Sequence, residues 1–336
     1  MQFIQKLRAK KFLKNISKKD NIAIIHHDDS DGICSAILFD NYCKNKGAKT
    51  KNFYYHLGET KFKNLPLKQF NKIIITDISS KDIQNQFKDI KNKKIFYTDH
   101  HPIYPTPKYI TTYLTAKQGY IPSSRTAYEL TKGKRFLAML GLIADAGNLY
   151  KENNSFIKKS LNQFNLTLEE FQKNYSHIFS DTLIYLEKFP QKAYEILSQI
   201  SSLQEISKLK KYANKVEKEI KKTVEKARKN SEKINGINIY QIKPKYKIKG
   251  IVAAIISREN AIEPHIFLSI KTSNPKILGI SARHDSNNAN LPQLLEFATK
   301  NLKNSVCGGH KRASGGQIRK QDLKKFKQNL KKFKAK

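Results

Sequence analysis

Apolar runs and polar stretches alternate along the N-terminal part of the chain. The run "NIAIIHH" (21–27) predicts a buried strand, and "GICSAILFDNYCKNKG" (32–47) predicts a helix that ends at its final glycine. Further strand-like runs, separated by helix-permissive segments, are "KNFYYH" (51–56), "KIIITDIS" (72–79) and "KKIFYTDHH" (93–101). This rhythm is typical of a parallel sheet in an α/β fold.

The pattern changes twice in the rest of the chain. Residues 126–195 have a helical pattern, and within 201–230 apolar residues recur on one helix face, which predicts a long amphipathic linker helix. Strand-like runs then return as "IYQIKPKYK", "GIVAAIIS" and "HIFLSIK", before a glycine-rich turn and a lysine-rich helix that begins near residue 320. We therefore predict an α/β protein in which an N-terminal parallel-sheet domain (1–195) is joined by a long helix (196–232) to a smaller α/β C-terminal domain (233–336).

The net charge of the chain indicates which class of partner it binds. The chain has 64 Lys and Arg against 28 Asp and Glu, a formal net charge of +36. A field of this sign attracts polyanions, so single-stranded nucleic acid is the partner that we expect. Because few of these cations are arginine, a general bias toward lysine is the alternative explanation.

Cysteine content and hydropathy indicate a compartment. The three cysteines form no C-x-x-C pair, which favours a reducing environment, and we expect a cytoplasmic protein. The longest apolar run, near "FLAMLGLIA", is far shorter than a membrane span, so we expect no membrane association.

An acidic segment stands out in this basic chain. In "HHDDSDG" (26–32), His27, Asp29 and Asp31 occupy alternate positions before Gly32, where a tight turn is expected. Alternation lets several ligand atoms converge from one short loop, and carboxylates mixed with imidazole suit Mn²⁺, Mg²⁺ or Fe²⁺. Taken alone, the segment is equally well explained as an Asp-rich helix cap.

Further acidic groups favour a metal site. Asp77, the trio Asp99, His100 and His101, and Asp145 all follow apolar runs. The carboxyl ends of parallel strands share one edge of the sheet, so these groups are expected to gather there. Several carboxylates at one point repel one another unless cations lie between them. Two ions roughly 3.5–4 Å apart can share a carboxylate, activate water and stabilise both oxygens of a phosphoryl displacement.

These segments resemble a known family. "HDDSDG" (27–32), the aspartate of "IITDIS", the trio "DHH" (99–101) and the aspartate of "GLIADAGN" are similar, in the same order, to the four motifs of the DHH phosphoesterase superfamily. "CGGHKRASGG" (307–316) resembles the glycine-rich motif of the DHH-associated substrate-binding domain. The resemblance spans nearly the whole chain and implies a DHH catalytic domain with a dinuclear metal site, followed by that substrate-binding domain.

The resemblance assigns metal ligands. Two divalent ions are implied, with Mn²⁺ expected and Mg²⁺ as the alternative. His27 and Asp29 would hold one ion, Asp77 would bridge both, and the remaining ligands, on the second ion, are Asp31, His100 and Asp145.

Two catalytic residues are implied as well. His101 is expected near the bridging water or the scissile phosphate. Asp99 is expected to orient its histidine neighbour and so to set the tautomer of that ring.

Substrate-binding residues are expected mainly in the second domain. Glycine backbone and the forked guanidinium group of arginine both suit phosphate oxygens. The candidates are Arg283, Gly308, Gly309, His310 and Arg312, with Arg125 as a weaker one that is explained equally well as a solvated side chain.

Three functions remain open. The short spacing of His27, Asp29 and Asp31 resembles the RecJ and oligoribonuclease branches rather than family II pyrophosphatases. The first hypothesis is a RecJ-like exonuclease, close to compact archaeal proteins, that degrades single-stranded DNA or RNA. The second is a nanoRNase acting on very short oligonucleotides, with pAp phosphatase activity. The third is a Cdc45-like scaffold that binds strands without cutting them.

The net charge and the complete set of metal ligands favour the exonuclease, because a long strand makes more phosphate contacts than a dinucleotide does. Its expected setting is DNA repair or replication, and by resemblance alone the GINS replication complex is a hypothetical partner.

Overall fold

A computed structural model describes residues 2–271, 274–284 and 290–333. The chain divides into two compact units, Met1–Asn214 and Lys215–Lys336. Within the described residues, the helices are all too short or too polar to cross a membrane.

The first unit contains the predicted parallel sheet. Its strands lie in the order β2-β1-β3-β4-β5, and each neighbouring pair is parallel. The strand that contains Ile24 is second in this order and pairs on both sides, with Ile24 opposite Asn52 of one neighbour and Ile74 of the other. The strand bounds are β1 Asn21–His27, β2 Lys49–Tyr55, β3 Lys72–Thr76, β4 Lys94–Asp99 and β5 Thr111–Leu114.

Continuous apolar runs form this sheet because both of its faces are buried. Along β1, Ile22 and Ile24 point into one apolar core, while Ala23 and Ile25 point into a second core on the opposite face. All four side chains are fully buried, and each isoleucine contributes about 1.5–3 kcal/mol by leaving water. Alternation therefore holds the register, since a slip of one residue would exchange the two cores.

The helices α1–α10 flank the strands of the first unit in the chain or follow them. The helix predicted after β1 is present and ends two residues before Gly47. The bounds are α1 Gln2–Lys14, α2 Ser30–Asn45, α3 Ser80–Ile83, α4 Ser123–Thr131, α5 Arg135–Ala144, α6 Asn154–Phe164, α7 Leu168–Phe171, α8 His177–Leu186, α9 Pro190–Ser198 and α10 Lys210–Lys229.

The segment predicted as one linker helix is divided. Residues Gln204–Leu209 form a 3₁₀ helix, and α10 begins only at Lys210. Ile206 and Leu209 belong to the core of the first unit, so packing rather than helix periodicity sets the conformation of this part. The division between the two units, at residues 214 and 215, falls within α10.

The second unit is built on a mixed sheet in the order β10-β11-β9-β8-β7-β6. Neighbouring strands are antiparallel except β7 and β8, which are parallel. One face of the sheet packs against α12 and α13 in an apolar core. The bounds are β6 Ser231–Ile234, β7 Ile237–Gln241, α11 Lys249–Glu259, β8 His265–Lys271, β9 Asn274–Arg283, α12 Leu291–Thr299, β10 Val306–His310, β11 Ala313–Arg319 and α13 Leu323–Lys332.

Two predictions for this unit were wrong. "GIVAAIIS" is part of the helix α11 rather than a strand, and its buried residues Val252, Ala253 and Ile256 follow helical spacing. A short apolar run does not by itself distinguish a buried strand from a buried helix. The glycine-rich segment forms the hairpin strands β10 and β11 rather than only a turn.

A buried ion pair supports the end of the first sheet opposite the acidic groups. Lys72 Nζ donates to Asp20 Oδ2 and to the carbonyl oxygen of Asn15, both at 2.7 Å. Both side chains of the pair are only 7% exposed. Although burial alone would raise the pKa of Asp20, Lys72, Ser17 and Asn71 together lower it.

We predict that Lys72→Met lowers the free energy of unfolding by about 3–5 kcal/mol at neutral pH, because the buried Asp20 loses its counterion. Since the pKa of Asp20 is lowered in the folded protein, the stabilisation is present above its ordinary value near ~3.9 and is lost as pH falls. Urea denaturation at several pH values measures both effects. Lys68→Met, at an exposed position, is the control, and equal stabilities for the two variants would contradict the prediction.

Candidate metal centre

The predicted acidic groups lie together where β1, β3 and β4 end. His27 is the last residue of β1, Asp29 caps α2, and Asp77 follows β3 directly. Asp99 ends β4, and Asp145 caps the C-terminus of α5. Parallel strands bring their carboxyl ends to one edge, so the topology itself gathers these side chains.

Asp29, His27 and Asp77 form the first group, with one ligand atom from each lying within 4.8 Å of the others. His27 Nδ1 lies 2.9 Å from Asp29 Oδ2, and the Gly32 amide donates to Asp29 Oδ1 at 2.9 Å. A Cβ at Gly32 would lie 2.5 Å from the His27 carbonyl oxygen. Glycine is therefore needed at position 32 for close packing against β1.

The second group consists of Asp31, His100 and Asp145, again with ligand atoms within 4.8 Å. Asp31 is buried and accepts hydrogen bonds from the amides of Ser123 at 2.6 Å and Ser124 at 3.0 Å. These amides open α4, where the positive end of the helix dipole stabilises a carboxylate. His100 Nε2 lies 3.5 Å from Asp145 Oδ2.

Asp77 belongs to the first group and also contacts His100 of the second group. Its Oδ1 is 3.3 Å from His100 Nε2 and accepts a hydrogen bond from Ser123 Oγ at 3.1 Å, while the residue also belongs to the group of His27 and Asp29. Its backbone has φ +60°, in the left-handed region that a residue other than glycine enters at a cost of about 1–3 kcal/mol. The sheet holds this conformation through the Asp77 amide, which donates to the Thr98 carbonyl oxygen.

Asp99 supports His101 rather than His100. The Asp99 Oδ1 atom lies 2.8 Å from His101 Nδ1, and Tyr97 donates its hydroxyl to Asp99 Oδ2 at 3.2 Å. Asp99 is buried, whereas 41% of the His101 side chain is exposed. The carboxylate thus fixes the ring and leaves Nε2 as the nitrogen that can meet a ligand.

Negative charge at this edge exceeds the positive charge of the described residues around it. Burial, together with the charges of Asp31 and Asp29, raises the pKa of Asp77 well above its usual range. Burial and the charge of Asp31 raise the pKa of Asp145 to about 7. Burial opposes protonation of His27, yet the bonded Asp29 and the neighbouring Asp28 raise its pKa to about 9. Convergent carboxylates and imidazoles of this kind fit hard or borderline divalent cations, which would supply the missing positive charge if bound.

Arg125, the weaker candidate for substrate binding, is hydrogen-bonded within the first unit. Its Nη1 donates to the carbonyl oxygen of Glu152 and to Asn153 Oδ1, both at 2.7 Å, and its Nε donates to Glu129. These bonds engage Nε and Nη1 within the first unit. Arg125 therefore holds the loop that follows Asp145 in place.

The predicted substrate-binding residues of the second unit lie on one end of its sheet. Arg283 ends β9 and pairs with Ala313 of β11, while the hairpin carries Gly308, Gly309, His310 and Arg312. A Cβ at Gly309, where φ is +136°, would lie 2.6 Å from the Ala313 carbonyl oxygen, whereas a Cβ at Gly308 would meet open space. Gly309 is thus required by the hairpin, and Gly308 leaves backbone accessible.

Sequence reasoning missed a further cation, Lys249, which begins α11 and lies against this sheet. Burial, with the charges of Lys271 and Arg283, lowers the pKa of Lys249 to about 8. A Cβ added at Gly279 of β9 would lie 2.8 Å from Lys249 Nζ, so the ammonium group lies against the strand that carries Arg283. Its position near the start of an apolar run gave no signal, because that run was interpreted as a strand.

Comparison with known proteins agrees with this architecture. The sequence matches the profile of the DHH family, N-terminal domain, over residues 21–151 and that of the DHHA1 domain over residues 238–336. No curated protein matches the sequence. The two domains define a DHH-family phosphoesterase fold.

The chain therefore contains a DHH-family N-terminal domain followed by a DHHA1 domain, and its fold is RecJ-like. A solved structure of exonuclease RecJ bound to manganese, at 16% identity and a TM-score of 0.72, aligns over 98% of this chain and 95% of its own. RecJ from Thermus thermophilus in complex with Mn²⁺, also 16% identical with a TM-score of 0.73, aligns over 98% of this chain and 55% of its own. The DHH domain of a protein described as a member of a ribosomal protein family gives 18% identity, a TM-score of 0.69, and 99% and 92% coverage.

We predict that Gly141→Ala weakens Mn²⁺ binding by about 10- to 100-fold, the range found when groups that orient metal ligands are lost. A Cβ at Gly141 of α5 would lie 2.5 Å from Ser124 Oγ and 2.9 Å from Asp31 Oδ1, so the Asp31 carboxylate must move. Titration calorimetry with Mn²⁺ measures the change.

The matched control is Gly250→Ala, also within a helix, where a Cβ meets nothing within 4 Å. Equal Mn²⁺ affinities for the two variants would contradict the prediction and count against Asp31 as a metal ligand.

Proposed function

We propose that this protein is a metal-dependent phosphodiesterase, a RecJ-like exonuclease that hydrolyses terminal phosphodiester bonds of single-stranded DNA or RNA. The observation that carries the proposal is the position of Asp77, which shares one group with His27 and Asp29 and contacts His100 of the other group. A carboxylate so placed suits a bridge between two metal ions.

Two divalent ions suit these groups, and Mn²⁺ is the ion that we expect, with Mg²⁺ as the alternative. RecJ structures of the same fold have been solved with each ion. Ions held there would acidify a water and neutralise charge on the reacting phosphate. His27 and Asp29 are the ligands proposed for one ion, Asp77 for both, and Asp31, His100 and Asp145 for the other.

The protein's own groups then position the phosphate. His101, fixed at Nδ1 by Asp99, offers Nε2 to a phosphoryl oxygen whose negative charge grows during the reaction. In the second unit we propose that Arg283, His310 and Arg312, with the open backbone at Gly308 and its neighbour Gly309, bind phosphate groups of the nucleic acid.

The length of the substrate follows from charge. With a net charge of +36, additional phosphates of a long strand add contacts that a dinucleotide lacks, so a strand is favoured over the nanoRNase and pAp substrates. The complete ligand set argues against a scaffold without activity. A setting in repair or replication, and binding to GINS, are parts of the proposal that a pull-down with GINS tests directly.

The proposal predicts stepwise shortening of end-labelled single strands in Mn²⁺. Asp77→Asn and His100→Ala are each expected to slow cleavage by about a thousandfold or more, roughly 4 kcal/mol in activation free energy, because the metal groups are incomplete. A time course on DNA and RNA strands labelled at either end, run beside a dinucleotide and pAp, measures this and gives the polarity.

The control for these variants is Asp89→Asn, which removes an exposed carboxylate outside the metal groups. Cleavage of the dinucleotide or pAp alone would move the protein to the nanoRNase branch. Full activity in both site variants would overturn the metal assignment. If the wild-type protein cleaved none of the substrates, the Cdc45-like scaffold would be the remaining hypothesis.

A further inference from the structure

An aromatic stack leads away from the proposed metal centre. Tyr120 donates its hydroxyl to Asp145 Oδ2 at 2.9 Å, and its ring lies edge-on to His100 with centroids 4.9 Å apart. Tyr150 stacks on Tyr120, with ring centroids 4.2 Å apart and an interplanar angle of 16°. The first ring therefore contacts two of the proposed metal ligands, and the second ring continues from it.

The outer end of this stack is open to solvent. Tyr150 has 41% of its surface exposed, and the adjacent Leu149 has 77% exposed. Among the described residues, Tyr150 makes its ring contact with Tyr120 alone. Exposed aromatic rings are the groups on which bases stack in proteins that bind single-stranded nucleic acid.

Hydrogen bonds from one buried side chain hold the loops that carry the two tyrosines. Asn153 is fully buried, and its Nδ2 donates to the Tyr120 carbonyl oxygen at 2.8 Å and to the Gly147 carbonyl oxygen at 2.7 Å. Arg125 in turn donates to Asn153 Oδ1 and to the Glu152 carbonyl oxygen. Both loops that carry the two tyrosines are thus tied to one buried amide, so little ordering is left for a ligand to impose.

We propose that the exposed face of Tyr150 stacks against the base of the nucleotide whose phosphate lies at the metal centre. The inference rests on the proposed function and specifies its substrate as a phosphodiester that carries a nucleobase. Stacking on an aromatic ring contributes about 1–3 kcal/mol per base and tolerates any base, because every base has a π-face. Tyr150 thus gives affinity at the reacting end without sequence preference.

The test compares Tyr150→Ala with the wild-type protein on single strands whose terminal nucleotide is either natural or abasic, with the abasic unit placed at each end in turn. On natural strands the variant is expected to raise KM by about 5- to 150-fold, the equivalent of the stacking energy. On strands with an abasic unit at the reacting end, the two proteins should have equal KM. Tyr150→Phe keeps the ring and should recover most of the affinity.

Tyr109→Ala is the matched control, because Tyr109 is also an exposed tyrosine, with 49% of its surface accessible. Its hydroxyl donates to the Phe87 carbonyl oxygen, and the residue belongs to none of the metal groups. Equal KM for Tyr150→Ala and the wild type on natural strands would overturn the stacking proposal while leaving the nuclease intact.

A second readout separates this proposal from the proposed function. 2-Aminopurine at the terminal position loses fluorescence when it stacks, so binding to the Asp77→Asn protein should quench it, and adding Tyr150→Ala should remove the quench. Absence of cleavage by the wild type would overturn the proposed function, and the fluorescence would still decide the stacking. If the fluorescence were still quenched in the variant that lacks Tyr150, the stacking proposal would be refuted.

Discussion

Mutual repulsion among buried carboxylates is the constraint on which the rest of this structure depends. Asp31 and Asp77 are almost wholly inaccessible, and Asp29 and Asp145 lie in the same two groups. Neutral amides and hydroxyls stabilise these carboxylates, but they bring no full positive charge. The divalent cations that we propose would resolve the conflict, and a surface rich in lysine would attract phosphates toward them.

Backbone hydrogen bonds and backbone conformation position the acidic groups. The start of α4 directs two amides at Asp31, and a strained φ turns Asp77 back over the end of β3. Glycine at 32 and at 141 allows the chain to approach these groups closely. Each of these features costs conformational freedom or strain, which the two apolar cores on either side of the sheet offset.

Periodicity and strand-end acids were sufficient to predict four of the five parallel strands and the gathering of acidic groups along one edge, whereas the short strand β5 was not predicted. Topology, which follows from the strand pattern, brings distant segments such as residues 27–31 and 99–101 together. The sequence could not predict the contacts that backbone amides and residues outside the motifs make with the acidic groups. Ser124 and Tyr120 are examples, because their contacts depend on how α4 and its preceding loop pack. The helix α11 was missed because its short apolar run also suits a strand, and with it the cation Lys249 was missed.

The central claim is that two divalent ions share Asp77. Anomalous diffraction at the manganese edge, from crystals of this protein grown with Mn²⁺, tests that claim most directly. The account predicts two peaks, one beside His27 and Asp29 and the other beside Asp31, His100 and Asp145, with the Asp77 carboxylate contacting both. A single peak, or two peaks of which only one contacts Asp77, would contradict it.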